Sequence, residues 1–402
     1  MSGIITIPSE FIFRLIEHPS FQRLRRIRQL GLTHLVYPGA LHTRFAHSIG
    51  AMDLMNQALD SLGSKGHDVT PGDKSAALAA ILLHDIGHGP FSHALETSII
   101  EGIEHESISL LLMQRLNQEM EGGLDQAIDI FTGHHPRPWL HQLVSSQLDM
   151  DRLDYLRRDS FYCGVAEGIV NTDRIIKTLN IVEDKLCVDA KGIYSAEKFI
   201  IARRLMYWQV YLHKTVISAE SLLIRILRRA KWLAHRGHAL FGTPALQFFL
   251  QNKVGKEEFL TDPKMIGLFT RLDDFDIFSA IKVWCDHDDA ILSRLSNALV
   301  KRELFRIEMQ HSPFDPGRVR KLREEAGKAY GLAEDELDYM VFTDSTSNYA
   351  YDPDQARISV LLKNGQVLDF TEVSEEFNLT VLTEPVTKYI LGYPKKTGHI
   401  EN

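Results

Sequence analysis

Residues 75–87, SAALAAILLHDIG, constrain the fold more than any other stretch of the chain. Apolar side chains cover nearly every face of the helix they would form, and a helix of that kind is stable only when buried among others. Crossing a bilayer takes roughly 20 apolar residues. The segment is far shorter, which predicts the central helix of a bundle. It ends on His84-Asp85 and continues as HDIGHGPFSH (84–93). Neighbouring residues on a helix diverge by about 100°, so His84 and Asp85 can face one ion only where the helix stops and the backbone turns. Gly87, Gly89 and Pro90 supply that stop.

From about residue 9 to 300, apolar residues recur at spacings of three and four, as in FQRLRRIRQLG (21–31) and ISLLLMQRLNQEM (108–120), and predict helices. KLCVDAKGIYS (185–195) alternates and contains Gly192, which reads as a short hairpin. Beyond residue 300, LVKRELFRIEMQ (299–310) and DPGRVRKLREEAGKAYG (315–331) read as helices. RISVLLKNGQVLDF (357–370) reads as two strands joined at Asn364-Gly365, the strongest short hairpin signal. The expected architecture is mainly α: a helical bundle with short β-hairpins over 1–300 and a small α+β part over 301–402.

A formal charge of −8 sets the surface as a whole against nucleic acid, so any polyanionic substrate must meet a local basic site. No stripe of interleaved basic and aromatic residues offsets that balance. Cys163, Cys187 and Cys285 lie far apart with no CxxC pair, which fits a reducing compartment. The N-terminal residues lack a basic region followed by an apolar run. A cytoplasmic protein with no membrane association is expected.

The chemistry concentrates in ligand-type side chains. His84, His88 and His93 stand with Asp85 and Glu96 inside thirteen otherwise apolar residues. Buried ionisable groups are costly unless paired or bound to an ion. Upstream, HTRFAHSIG (42–50) offers His47; downstream, LDMDRLDY (148–155) offers Asp149, Asp151 and Asp154. Imidazoles combined with carboxylates suit Mn, Fe, Zn, Ni or Mg with positions left open for water. Single residues have plainer readings: a histidine on an apolar helix as a hydrogen-bonded core residue, an aspartate as a helix cap. Arg23, Arg25, Arg26 and Arg28 fall on several faces of one helix, which favours a solvated face. His134-His135, followed by Pro136 and Pro138, reads as an exposed loop or as a further pair of ligands.

FQRLRRIRQLGLTHLVYPGALHTRFAHSIG (21–50), HDIGHGPFSHALE (84–96), His105-Glu106 and DMDRLDYLRRD (149–159) resemble, in order, the HD-domain deoxynucleoside triphosphate triphosphohydrolases. The resemblance is strong over 9–220 and weak beyond. It implies a divalent ion held by His47, His84, Asp85 and Asp151, phosphate and water handling by His88 and His105, and a leaving-group acid in His93 oriented by Glu96. Relatives more often carry Asp at position 96. It also implies phosphate contacts from Arg44, Arg152, Tyr155 and Arg203, a Gln29-Leu30 pair against the sugar, and Asp159 on the 3′-hydroxyl. Tyr211 would crowd the 2′ position, although a plain core aromatic is an equal reading of that residue.

The resulting expectation is a metal-dependent phosphohydrolase acting on nucleotides, with a dNTP substrate split into deoxynucleoside and triphosphate and, by analogy, a homo-oligomeric assembly. Two alternatives stand beside it: an HD phosphohydrolase acting on a cyclic or mono-nucleotide, and a nucleotide-binding regulator without turnover. His93 and Glu96 favour catalysis, because a binder has no need of a leaving-group acid.

Overall fold

The computed structural model describes residues 4–91, 93–100, 102–348, 351, 357–374 and 385–395. The first half of the helical part comprises α1 (Glu10–Glu17), α2 (Pro19–Gln22), α3 (Arg44–Ser64), α4 (Pro71–Leu83), α5 (His93–Glu96), α6 (His105–Glu119), α7 (Asp125–Thr132), α8 (Pro138–Val144) and α9 (Met150–Cys163). The second half comprises α10 (Thr172–Thr178), α11 (Ile193–Met206), α12 (Lys214–Ala234), α13 (Pro244–Gln251), α14 (Lys256–Thr261), α15 (Pro263–Phe269), α16 (Asp274–Trp284) and α17 (Ala290–Val300). The mainly α architecture expected from the sequence is the one observed. Among the described residues, no helix is long and apolar enough to cross a membrane.

The apolar segment is α4. Its N-terminus is set by a capping box between Thr70 and Asp73 with Pro71 at the first position, which satisfies backbone N–H groups that have no partner within the helix. Residues Ala76 to Leu83 are buried without exception. α3 and α7 pack along it, and its C-terminus delivers His84 to the centre of the bundle.

Two short sheets complete the chain. β1 (Leu179–Val182) and β2 (Lys185–Asp189) form an antiparallel hairpin, and β2 pairs in parallel with β5 (Ser359–Leu361), which pairs with β6 (Val367–Asp369). In the second sheet, β7 (Val386–Tyr393) lies between β3 (Arg306–Gln310) and β4 (Phe342–Asn348). α18 (Pro316–Tyr330) and the single turn α19 (Phe370–Val373) complete the helices. The β5–β6 hairpin turns at Asn364-Gly365 with Gly365 at φ +86°, as its sequence requires. Because β5 extends the sheet begun by β2, the last hundred residues are stitched onto the helical part.

Three sequence expectations differ from the structure. The first hairpin turns at Glu183-Asp184, both at positive φ, and not within 185–195; Gly192 lies in the 3₁₀ turn leading into α11. Residues 306–310 are a strand and not a helix, since their pattern is decided by pairing with β7, some eighty residues away. The segment 21–31 is no continuous helix. After α2 it becomes a 3₁₀ turn over Arg23–Arg26, and Arg28 then bridges to Thr43, the N-cap of α3.

That break has a cause in Arg23. Its guanidinium is buried and donates to the carbonyls of Leu272, Ile86 and His88 at 3.2, 2.8 and 2.9 Å. The solvated-face reading therefore fails for Arg23: the chain turns to bring one arginine inward, while Arg25 and Arg26 remain exposed.

α3 and α9 cross closely at Gly50. A Cβ there would lie 2.0 Å from Arg158 Nη2 and 2.2 Å from Asp154 Oδ1, so only glycine lets both side chains lie across α3. Gly50→Ala should destabilise the protein by about 1–3 kcal/mol, as overpacking does. Urea denaturation followed by circular dichroism measures it, and an unchanged midpoint would show that the crossing tolerates a methyl group.

Candidate metal centre

Three elements converge on one point. His47 lies in the first turn of α3, His84 and Asp85 in the turn that ends α4, and Asp151 in the first turn of α9. Nε2 of His47 is 3.0 Å from Asp151 Oδ1 and 3.8 Å from Asp85 Oδ2; Nε2 of His84 is 3.4 Å from Asp151 Oδ1 and 3.3 Å from Asp85 Oδ1. One ligand atom from each of His47, His84 and Asp151 lies within 4.8 Å of the others.

The two Nε2 atoms are buried and make no properly directed hydrogen bond, despite carboxylate oxygens so close by. An orphaned buried polar atom is costly. Two of them beside two carboxylates fit a divalent cation, with imidazole and carboxylate donors of the type such ions take. The opposite ring nitrogens are fixed, as a ligand histidine requires: Nδ1 of His84 bonds the Ile81 carbonyl at 2.6 Å, and Nδ1 of His47 bonds Asp154 Oδ2 at 2.8 Å. Asp154 is held in turn by two 2.8 Å bonds from Arg158.

The charges interlock. Burial alone would push the Asp85 carboxyl up, but His84, His88 and Arg44 together hold it well below the usual carboxylate range. Arg44 Nη1 reaches Asp85 Oδ2 at 2.6 Å. For His47, burial lowers the pKa, yet the nearby carboxylates of Asp151 and Asp154 outweigh it and raise the group to about 10. His88 goes the other way, pushed down to about 3 by burial and then by Arg44. It is therefore a neutral imidazole throughout the physiological range.

Beside the centre, His88 and His105 stack at 3.8 Å with their planes 19° apart, and Glu96 Oε1 lies 3.3 Å from His105 Nδ1. These three could also be read as a second ion site. The stacking argues against it, because nearly parallel rings 3.8 Å apart keep their in-plane lone pairs in separate planes, whereas two ligands of one ion must converge. The backbone of His93 begins α5, three residues before Glu96; its side chain lies outside the described residues, and the expected His93–Glu96 contact with it.

The expected substrate residues gather on the side of α9. Asp159 accepts a 2.8 Å bond from the Tyr211 hydroxyl and pairs with His42 Nε2 at 2.7 Å. Tyr155 lies edge-on between His47 and Tyr211, with centroids 6.4 and 6.3 Å away, and burial pushes its phenol up to about 12. Arg152 bonds Asp149, the N-cap of α9, at 3.0 Å, and Arg203 reaches Gln147 at 2.8 Å. The amide of Gln29 donates to the His42 carbonyl at 3.0 Å, while its side-chain Oε1 is buried with no partner. Leu30 follows in the same turn and packs on the core. His134 and His135 lie apart on the loop between α7 and α8, bonded to Thr132 and to the Arg137 amide.

His42, Gln147 and Arg158 are given no role by the sequence, and Asp154 appears there only as one of three ligand-type aspartates. His42 and Gln147 carry no local signal at all. The Asp154–Arg158 pair does, at i,i+4 on a helix, but its purpose appears only once His47 is seen against it.

Replacing both His84 and Asp85 with alanine should abolish bound divalent metal in a protein that keeps its helical spectrum. Asp154→Asn should weaken metal affinity by about 10- to 100-fold, the usual effect of losing a ligand's hydrogen-bond partner. Elemental analysis after dialysis against a graded chelator checks both. Full retention of metal by the double variant would place the centre elsewhere.

Comparison with known proteins identifies the family. A family model described as the HD domain matches residues 44–159, and one described as the HD associated region matches 170–235. The Bacillus subtilis protein YwfO is 31% identical, covering 97% of this chain and 90% of its own. A Dictyostelium discoideum homologue of the deoxynucleoside triphosphate triphosphohydrolase SAMHD1 is 29% identical over 55% of this chain and 46% of its own. The crystal structure of a phosphohydrolase from Bacteroides thetaiotaomicron superimposes with a TM-score of 0.94 at 48% identity, covering 97% of this chain and 96% of that one. A chain with this bundle and these relatives belongs to the HD superfamily of phosphohydrolases.

Proposed function

We propose that the protein hydrolyses deoxynucleoside triphosphates, releasing deoxynucleoside and inorganic triphosphate. The observation that carries this reading is the Asp159–Tyr211–His42 unit, linked through the Tyr155 ring to His47 of the His47, His84 and Asp151 cluster, with Gln29 and its orphaned side-chain carbonyl bonded by its backbone to His42. A sugar hydroxyl needs such hydrogen-bonding groups, and a phosphate chain needs the arginines next to them. The similarity to triphosphohydrolases over about half the chain supports the substrate class.

His47, His84, Asp85 and Asp151 would hold a divalent ion, which supplies charge neutralisation on the phosphate and a water of lowered pKa. Arg44, fixed on Asp85, places positive charge at the edge of that cluster. Burial raises the Tyr155 phenol, and Arg152 and Arg203 lie close enough to offset part of that rise, giving the phosphate chain two cations and a hydroxyl donor. The water oxygen bonds to the α-phosphorus while the bond from that phosphorus to the 5′-oxygen breaks. The departing oxygen needs a proton, and His93 supplies it. His88, neutral and stacked on His105, orients the water or a phosphoryl oxygen without adding charge.

His93→Ala should lower kcat by about 10²- to 10⁴-fold, the range expected for loss of a general acid, with metal content unchanged. Loss of metal in that variant would recast His93 as a ligand. Sugar selectivity follows from Tyr211, whose ring is fixed by its bond to Asp159. A 2′-hydroxyl forced against it without a partner costs about 1–3 kcal/mol, so kcat/KM for dATP should exceed that for ATP by roughly ten- to a hundredfold. The measurement is a kinetic comparison of the two with chromatographic identification of products. Equal values would remove the role given to Tyr211, and release of single phosphate or of pyrophosphate would point to a different nucleotide chemistry at the same centre.

A further inference from the structure

Between α11 and α12 the chain widens into a single π-turn over Tyr207–Tyr211, closed by the Leu212 amide on the Tyr207 carbonyl at 2.8 Å. Such turns are rare and concentrate at functional sites. This one ends on Tyr211, the residue whose ring is set against the sugar on the reading above. A single widened turn is less favourable than the helix it interrupts, so neighbouring contacts must fix where its side chains point.

Those contacts come from one remote connection, residues 31–43, which leads into α3. Tyr37 donates its hydroxyl to the Gln209 carbonyl at 2.8 Å. From the far end of the same connection, His42 Nε2 donates to Asp159 Oδ1 at 2.7 Å, and the Tyr211 hydroxyl donates to Asp159 Oδ2 at 2.8 Å. His42 is itself fixed. Its ring stacks on Tyr162 with centroids 4.6 Å apart and planes 16° from parallel, and its carbonyl accepts the Gln29 amide. The connection lies so close to α9 that a Cβ on Gly39 would stand 2.4 Å from the Tyr162 carbonyl oxygen. His42 and Asp159 are buried, and Tyr211, half-buried, is the member of the row with surface left to meet a ligand.

The chemistry of the row gives it a direction. An ionised carboxylate only accepts hydrogen bonds, whereas a neutral imidazole has one donor and one acceptor nitrogen, so the proton between the two groups belongs to His42 Nε2. The opposite nitrogen, Nδ1, is buried without a partner. A proton there would be a buried donor with no acceptor, a rarer and costlier state than a bare lone pair, and the tautomer is thereby set. With Oδ1 taken by His42, the carboxylate is held with Oδ2 toward Tyr211. Stability does not explain the arrangement, because taking such groups out of water often costs as much as their attraction returns, and apolar side chains of like size would fill the same space.

We propose that His42 is a positioning residue: acting through Asp159, it fixes the Tyr211 ring and so sets the discrimination between a deoxyribose and a ribose. The assignment deepens the nucleotide-hydrolase reading and rests on it, since only a sugar at this place gives the ring something to discriminate.

The test is the ratio of kcat/KM for dATP to that for ATP, measured on the full-length, metal-loaded protein and on variants matched to it in metal content and circular dichroism. His42→Phe keeps a ring against Tyr162 and removes the donor; its ratio should fall by about tenfold, the effect of one lost hydrogen bond. His42→Gln restores a donor at similar reach and should keep the ratio within about threefold of wild type. Tyr211→Phe breaks the row at its other end and should lower the ratio by the same factor. Combining His42→Phe with Tyr211→Phe should lower it no further than either alone, as expected of residues acting through one network. Equal loss of dATP and ATP turnover in His42→Phe, with the ratio as in wild type, overturns the proposal and makes His42 a structural residue. Additive losses in the double variant also overturn it, as does a loss in His42→Gln as large as in His42→Phe, which would tie the effect to the ring and not to the donor. Should His42→Phe fail to fold, His42→Asn, whose shorter arm falls short of Asp159, decides in its place: an unchanged ratio sinks the idea. If the wild type itself shows no preference for dATP, the sugar reading fails before any variant is made and the role of His42 falls with it. A preference kept by the His42 variants but lost in Tyr211→Phe leaves the sugar reading standing and removes His42 alone.

Discussion

Asp85 is the charge on which the arrangement turns. It lies nine-tenths buried at the end of an apolar helix, where an isolated carboxylate would give up its charge. It keeps that charge because His84, His88 and Arg44 surround it from three directions. Each of those partners comes with its own requirement. His84 can turn toward Asp85 because α4 stops at Leu83; Arg44 reaches it because α3 begins opposite; His88 is driven to its neutral form by the same burial and the same arginine. A fixed, ionised carboxylate beside two imidazoles whose outer nitrogens lack hydrogen-bond partners is a donor set of the kind that suits a divalent cation.

Around it lies a second layer whose function is orientation. Asp154 and Arg158 lock His47, the Ile81 carbonyl locks His84, and the capping bonds from Asp149 fix the start of α9 and with it Asp151. All of this depends on close approach of α3 and α9 at Gly50. Preorganisation of this kind removes the freedom a ligand side chain would otherwise lose on binding. Arg23 extends the same logic to the backbone of the loop after the His-Asp pair, and Phe91 shows by its strained φ of +50° that the loop is held and not relaxed.

The legible part of the fold was what local pattern controls. The all-apolar 75–83 stretch announced a buried helix and its end, and Asn364-Gly365 placed a hairpin correctly. Misreadings occurred where the deciding partner is remote. RIEMQ over 306–310 carries a pattern compatible with a helix and becomes a strand only because β7 is there to pair with it. Gly192 suggested a turn that the structure makes instead with Glu183-Asp184, where Asp184 tolerates the left-handed conformation but Glu183 gives no turn signal. Arg23, one of four arginines in six residues, was indistinguishable in sequence from its exposed neighbours.

The sequence by itself determined the helical class, the buried central helix and the identity of the ligand-type residues, because these follow from hydrophobic periodicity, helix-stop residues and donor chemistry that any reader of the chain can see. Only the tertiary structure decided which residues act together. His42 on Asp159, Asp154 behind His47, Arg44 on Asp85 and Asp274 on Arg28 are pairs separated by 41 to 246 positions, and local pattern carries no information about contacts at that range. Their pairing is fixed by how α3, α4, α9 and α16 pack, and it is that packing which sets the charge states and distances of the site.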